Sequence, residues 1–195
     1  THTSIRMNFL EEAYEAVDAL DLDDPVLMCE ELGDVLMQVA FHTCMEQETG
    51  RFTWEQVCDG VCQKLIERHP NIFGTQPGYE GITDWDALKN KEKGRRTLAD
   101  DLESVPRAMP ALMRAAKLQK RAARHGAALQ GTDAAALADA AENLQTAQPA
   151  SAQAEQAVGE LLFAAANLAR QAGVDPEQAL QKANEAFCTA AGPVA

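Results

Sequence analysis

Apolar residues recur every three or four positions along most of the chain. Met7, Leu10, Tyr14, Val17 and Leu20 do so first, which predicts an amphipathic helix over 4–20 with Ser4 as its N-cap. "DLDDP" interrupts the pattern, and Pro25 suits the first turn of a second helix. That second helix, 26–47, is apolar on nearly every side between Val35 and Met45, as expected of a helix buried on most of its surface. Gly50 breaks it, and a third helix over 53–68 carries Trp54, Val57, Val61, Leu65 and Ile66. "HPNIFGTQPGYEG" is a Pro/Gly-rich connection, and "TDWDALKNKEKGRR" reads as a short charged helix or an exposed arm. Beyond them the pattern predicts a helix from about Ala111 to near Gly126 and Ala-rich helices over 133–147 and 151–172. A last helix is opened by Asp175 and Pro176. The predicted class is all-α.

Two stretches of this pattern resemble each other. "ELGDVLMQVAFH" (31–42) aligns with "AVGELLFAAANL" (157–168). Each is followed, after a glycine break at Gly50 or Gly173, by a helix containing Gln-Lys, at Gln63-Lys64 and Gln181-Lys182. The chain is therefore expected to hold two copies of one helical unit, 1–126 with its bridging helix and 127–195. In the second copy Ala157 stands opposite Glu31 and Glu160 opposite Asp34.

Composition adds little to the class and much to the chemistry. Aromatics are only 5% and alanine is abundant, which again favours helices over strands. The five cysteines are odd in number and four lie inside apolar helical patterns. No C-x-x-C pair occurs, and Cys58 and Cys62 lack a second pair to complete a zinc site, so buried reduced thiols in a cytoplasmic protein are expected. No run approaches the ~18 apolar residues of a membrane helix. The chain opens on "THTSIRMNF" without an initiator methionine, so residues upstream are expected. Net charge is −13, which opposes nucleic-acid binding but permits a nucleotide if a divalent cation stands between acids and phosphates.

The acids are concentrated. Between Arg6 and Arg51 there are twelve carboxylates and no lysine or arginine. They include E-E-x-x-E (Glu11, Glu12, Glu15) and E-x-x-D (Glu31, Asp34), in which members three or four residues apart crowd one flank of a helix. An acidic wet face is the commonest meaning of such a cluster, but a solvated face normally interleaves charges of both signs. Asp34, moreover, leads into an apolar run with no further charge until Glu46. A carboxylate entering a core is protonated, paired or bound to a cation. Four or five oxygens from two helices, without cysteine and with only a displaced His42, suit Mg²⁺ or Mn²⁺ and not zinc.

"LEEAYEAVDALD…EELGDVLMQVAFH" resembles the E-E-x-x-E…E-x-x-D signature of the MazG family, all-α nucleoside triphosphate pyrophosphohydrolases. Further stretches resemble the family in order: "GRFTWEQVCDGVCQKLIERHPNIFG", the arm "DWDALKNKEK", the bridging helix "LESVPRAMPALMRAAKLQKRAARHG", and "ELLFAAANLAR" with "ALQKANEAF" in the second repeat. The resemblance runs from Asn8 to Phe187. It implies hydrolysis of an NTP or dNTP to the monophosphate and pyrophosphate, with Mg²⁺, by a homodimer whose core is of four-helix-bundle type. It also implies roles. Glu12, Glu15, Glu31 and Asp34 would be metal ligands, and Glu11 would stand behind the ligands or orient the attacking water. Lys64 and Arg68, four residues apart on one helix, would reach the triphosphate, and Trp85 and Lys89 would lie near the nucleotide. Read alone, Lys64 and Arg68 would be surface bases and Trp85 a packing anchor.

The family's upstream C-P-W-D stretch does not occur in these residues. In the second repeat the acidic motif is reduced to "LADAAENL", with Asp139 and Glu142, and "GAALQGTD" replaces a short aromatic loop. The first repeat is thus expected to be catalytic and the second structural. The alternative is a catalytically weak nucleotide-sensing or partner-binding module that retains a metal site.

Overall fold

The computed structural model describes residues 1–73, 93–94 and 97–192. All regular structure among them is helical: α1 (Arg6–Asp21), α2 (Pro25–Glu48), α3 (Trp54–Arg68), α4 (Pro70–Phe73), α5 (Leu98–Glu103), α6 (Ala111–Arg124), α7 (Ala134–Thr146), α8 (Ala152–Gln171) and α9 (Pro176–Ala191). Most begin where the sequence supplies an oxygen for the free N–H groups of a first turn. Asp24 Oδ1 accepts from the N–H of Val26 at 2.9 Å and of Leu27 at 3.2 Å, with Pro25 in the first turn of α2. Thr53 and Gln56 form a reciprocal capping box at α3. Asp133, Ser151 and Asp175 cap α7, α8 and α9. The first helix differs from expectation. Its N-cap is Ile5, with no side-chain bond, because the Ser4 hydroxyl donates to the Thr1 carbonyl at 2.8 Å instead.

The chain forms two compact units, 1–88 and 89–195. The expected repeat boundary near 126 falls inside the second of these units, within which α6, the expected bridging helix, packs.

In the first unit α1 and α2 form a helical hairpin joined by residues 22–24. Asp23 takes the left-handed conformation the turn requires (φ 53°), one that aspartate tolerates better than most side chains. The hairpin buries Ala16 and Ala19 of α1. From α2 it buries Gln38, Thr43 and Glu46, all polar. Glu46 is paired there with Arg51, whose Nε lies 2.7 Å from Glu46 Oε2, and its Oε1 is in hydrogen-bond contact with the His2 ring. His2 in turn stacks on His42, ring centroids 4.9 Å apart. The large apolar residues of α2 face the other way: Leu36 is 57% exposed and Phe41 48%. Met7, Tyr14, Val17 and Leu20 of α1 are about half exposed as well, and α3 has no buried residue. The expected burial of α2 is therefore not met among the described residues of the first unit, where α2 packs mainly on α1 and to a smaller extent on α3.

The expected burial of the cysteines is also overturned: all five are free, as expected of reduced thiols, but all are exposed. They lie on helix faces that the hairpins leave uncovered.

The second unit is built on the α7–α8 hairpin, whose buried core is alanine: Ala140, Ala157, Ala164 and Ala166 are each at most 2% exposed. Buried amides tie neighbouring segments to α8. Gln119 Nε2 of α6 donates to the Phe163 carbonyl at 2.7 Å, and Asn167 Nδ2 donates to the Thr132 carbonyl and hydroxyl at 3.1 and 2.8 Å. A buried ion cluster docks α5 on α6. Asp101, 1% exposed, receives Arg121 Nη1 at 3.0 Å, Arg124 Nη2 at 3.3 Å and His125 Nε2 at 3.2 Å. No described helix is long and apolar enough to cross a membrane.

Candidate metal centre

The hairpin turn sets the site. Because it is only three residues long, the acidic motif of α1 faces the start of α2. Oxygens of Glu12, Glu31 and Asp34 all lie within 4.8 Å of one another, and all three residues are half-buried. Among the described residues this is the one group of three acidic, histidine or cysteine side chains close enough to hold a metal ion.

Glu31 records the electrostatic tension. Burial pushes its carboxyl above the usual 4.5, and the charges of Glu15, Glu30, Asp34 and Glu12 push it further in the same direction. Among the described residues none of these five acids is ion-paired to a lysine or arginine. The donor set is three hard carboxylate oxygens carrying up to three negative charges, with no sulfur and no imidazole. That chemistry fits an oxygen-seeking divalent cation.

Not every expected residue joins the cluster. Glu15 is exposed, outside the 4.8 Å group, yet close enough to act on the Glu31 charge. Glu11 is exposed one position before Glu12 on α1. On α3, Lys64 is exposed and Arg68 half-buried. Trp85 and Lys89 lie outside the described residues.

The structure adds one residue, Gln38. It is 4% exposed, and its Nε2 donates to Glu12 Oε1 at 3.3 Å. Its own Oε1 is buried without a protein donor. A signal for it stood in the sequence: Gln38 is the one polar side chain between Asp34 and His42, four residues after Asp34.

In the second unit the corresponding helices line an open cleft of about 650 Å³ between α7 and α8, with Asp139, Asn143 and Glu160 on its wall. Ala157, which the expected repeat would set opposite Glu31, is buried in the alanine core.

Comparison with known proteins gives the family. The MazG nucleotide pyrophosphohydrolase domain matches residues 1–73, which include α1, α2 and α3. The nucleoside triphosphate pyrophosphohydrolase of Escherichia coli K12 is 38% identical over 198 aligned positions, covering 96% of this chain and 74% of that protein. The nucleoside triphosphate pyrophosphohydrolase/pyrophosphatase MazG of Thermotoga maritima is also 38% identical, covering 96% of this chain and 73% of its own length. A shorter match, 37% identical over 65% of the chain, is to a nucleoside triphosphate pyrophosphohydrolase of Mycobacterium tuberculosis. With that similarity running through almost its whole length, the chain belongs to the MazG nucleotide pyrophosphohydrolase family.

Proposed function

We propose that this protein hydrolyses nucleoside triphosphates to a nucleoside monophosphate and pyrophosphate, with Mg²⁺ (Mn²⁺ as a substitute), at the acidic cluster of the first repeat. The observation that carries the reading is the convergence of Glu12, Glu31 and Asp34 within 4.8 Å. The relatives' names supply the substrate class.

In this reaction a water oxygen attacks the α-phosphorus, the bond from that phosphorus to the bridging oxygen breaks, and pyrophosphate leaves. A divalent cation bound there would neutralise phosphate charge and make a bound water easier to deprotonate. Glu12, Glu31 and Asp34 would hold the cation, with Glu15 as a fourth ligand. Glu11, exposed and adjacent to Glu12 in sequence, supports the ligands from behind or orients the attacking water. Lys64 and Arg68 lie one turn apart on α3 and meet the triphosphate, which needs cations beyond the metal. Trp85 and Lys89 are assigned to the nucleotide on the resemblance alone. The second repeat, with Ala157 in place of a ligand, serves structure rather than hydrolysis. The working form is a homodimer, supported by the uncovered apolar faces of α1 and α2.

The test is direct. The protein is incubated with each NTP and dNTP in Mg²⁺ and pyrophosphate is measured. At least one nucleotide is cleaved, and Glu12→Gln/Asp34→Asn lowers the rate at least about 100-fold, since two ligands of one cation are lost. Failure to cleave any nucleotide, or a double variant as fast as wild type, overturns the reading. Nucleotide binding without turnover would instead favour a sensing module.

A further inference from the structure

We infer that Gln38 is a positioning residue for the cation site: its amide holds Glu12 and fixes the orientation in which that carboxylate meets the ion. The inference rests on the proposed metal reading of the cluster. Three observations lead to it.

The first is register. Glu31, Asp34 and Gln38 stand at i, i+3 and i+7 on α2 and share one face. Gln38 is one turn deeper than the acids and on their line.

The second is contact. The Gln38 Nε2 donates to Glu12 Oε1 at 3.3 Å from a position that is 4% exposed. Glu12 is the one member of the cluster on α1, and it reaches the group from the opposite helix. An ionised carboxylate is an acceptor only, so a buried N–H at one oxygen restrains its rotation. Burial of an amide whose Oε1 has no protein donor disfavours folding. A methionine at this point of the apolar run would fill the same space without that cost. The glutamine is explained by what it holds.

The third is the internal repeat. In the aligned segment of α8, Ala157 replaces Glu31 and Ala164 replaces Gln38. Ala164 is fully buried, so the same point of the hairpin packs without an amide. The copy that has lost its ligand has lost the amide as well.

The experiment is Mg²⁺ titration of the full chain by calorimetry. Gln38→Met keeps length and packing and removes the N–H. Its Mg²⁺ affinity is expected to fall roughly 10-fold, the lower end for residues that hold a metal ligand from behind. Its metal-free melting temperature should not fall. The decisive arm is Glu12→Asp, which keeps the charge but withdraws the carboxylate from the amide. In that background Gln38→Met should cost little or nothing further. If Gln38→Met does not fold, Gln38→Asn, whose N–H falls one methylene short of Glu12, is expected to show the same weakening. Wild-type affinity in the Gln38 variant, or an equal loss in both Glu12 backgrounds, overturns the positioning role. A wild-type protein that binds no Mg²⁺ overturns the metal reading itself, a separate and recognisable result.

Discussion

At the scale of single residues the site is a balance of repulsions. Glu31 sits among like charges with its carboxyl pushed above 4.5. In the metal-free protein it therefore binds protons more readily folded than unfolded. Its contribution falls as pH rises from about 4.5 through its folded value, and the penalty is complete above that. Two outcomes follow for thermal melting. In EDTA at neutral pH, Glu31→Gln should melt higher than wild type, because a repulsive charge has gone. In saturating Mg²⁺ the order should reverse, because the wild type gains a bound cation and the variant loses a ligand. A Glu31→Gln that melts lower than wild type in EDTA would show that the cluster is not under like-charge stress. The four acids expected as ligands were legible in the sequence because no base accompanies them. The structure gathers three of them directly, Glu12, Glu31 and Asp34. Gln38 was not singled out, since an amide in an apolar run carries no charge pattern and acquires meaning only when the facing helix brings Glu12 to it.

At the scale of elements, local chemistry was the most readable part. Asp24 with Pro25 starts α2, and Asp175 with Pro176 starts α9, as the sequence leads one to expect. Ser4 was misleading because a cap needs the right backbone geometry as well as an oxygen, and its hydroxyl had a nearer acceptor. The short helix α5 and its ion cluster were invisible for a different reason. Asp101 and Arg121 are 20 residues apart, and no periodicity links them. Their pairing is now a prediction. Asp101→Ala leaves Arg121, only 3% exposed, without its main counter-charge. Breaking a buried ion pair from one side costs about 3–5 kcal/mol, and urea unfolding followed by circular dichroism should show a loss of that order. A loss under about 1 kcal/mol would mean that water reaches the cluster and screens it.

At the scale of the whole molecule, the proposed second copy of the chain would reconcile the expected burial of α2 with its observed exposure. Leu36 and Phe41 face outward although the sequence around them reads as a core, because periodicity reports that a face will be covered but not by which chain. Light scattering should give twice the 21.1 kDa chain mass. Leu36→Asp/Phe41→Asp should shift that mass to the monomer, since a buried apolar contact becomes two buried charges. A wild-type mass of a single chain would overturn the dimer.

The second unit carries a thermodynamic consequence of its own. Its hairpin core is made of Ala140, Ala157, Ala164 and Ala166, whose methyl groups shed far less hydration on burial than leucine or phenylalanine would. Heat capacity of unfolding follows the apolar surface exposed. This unit should therefore unfold with a smaller heat-capacity increment than its length suggests. Its stability dome is then low and broad, changing slowly with temperature and extending far into the cold before hydration of the interior begins to win.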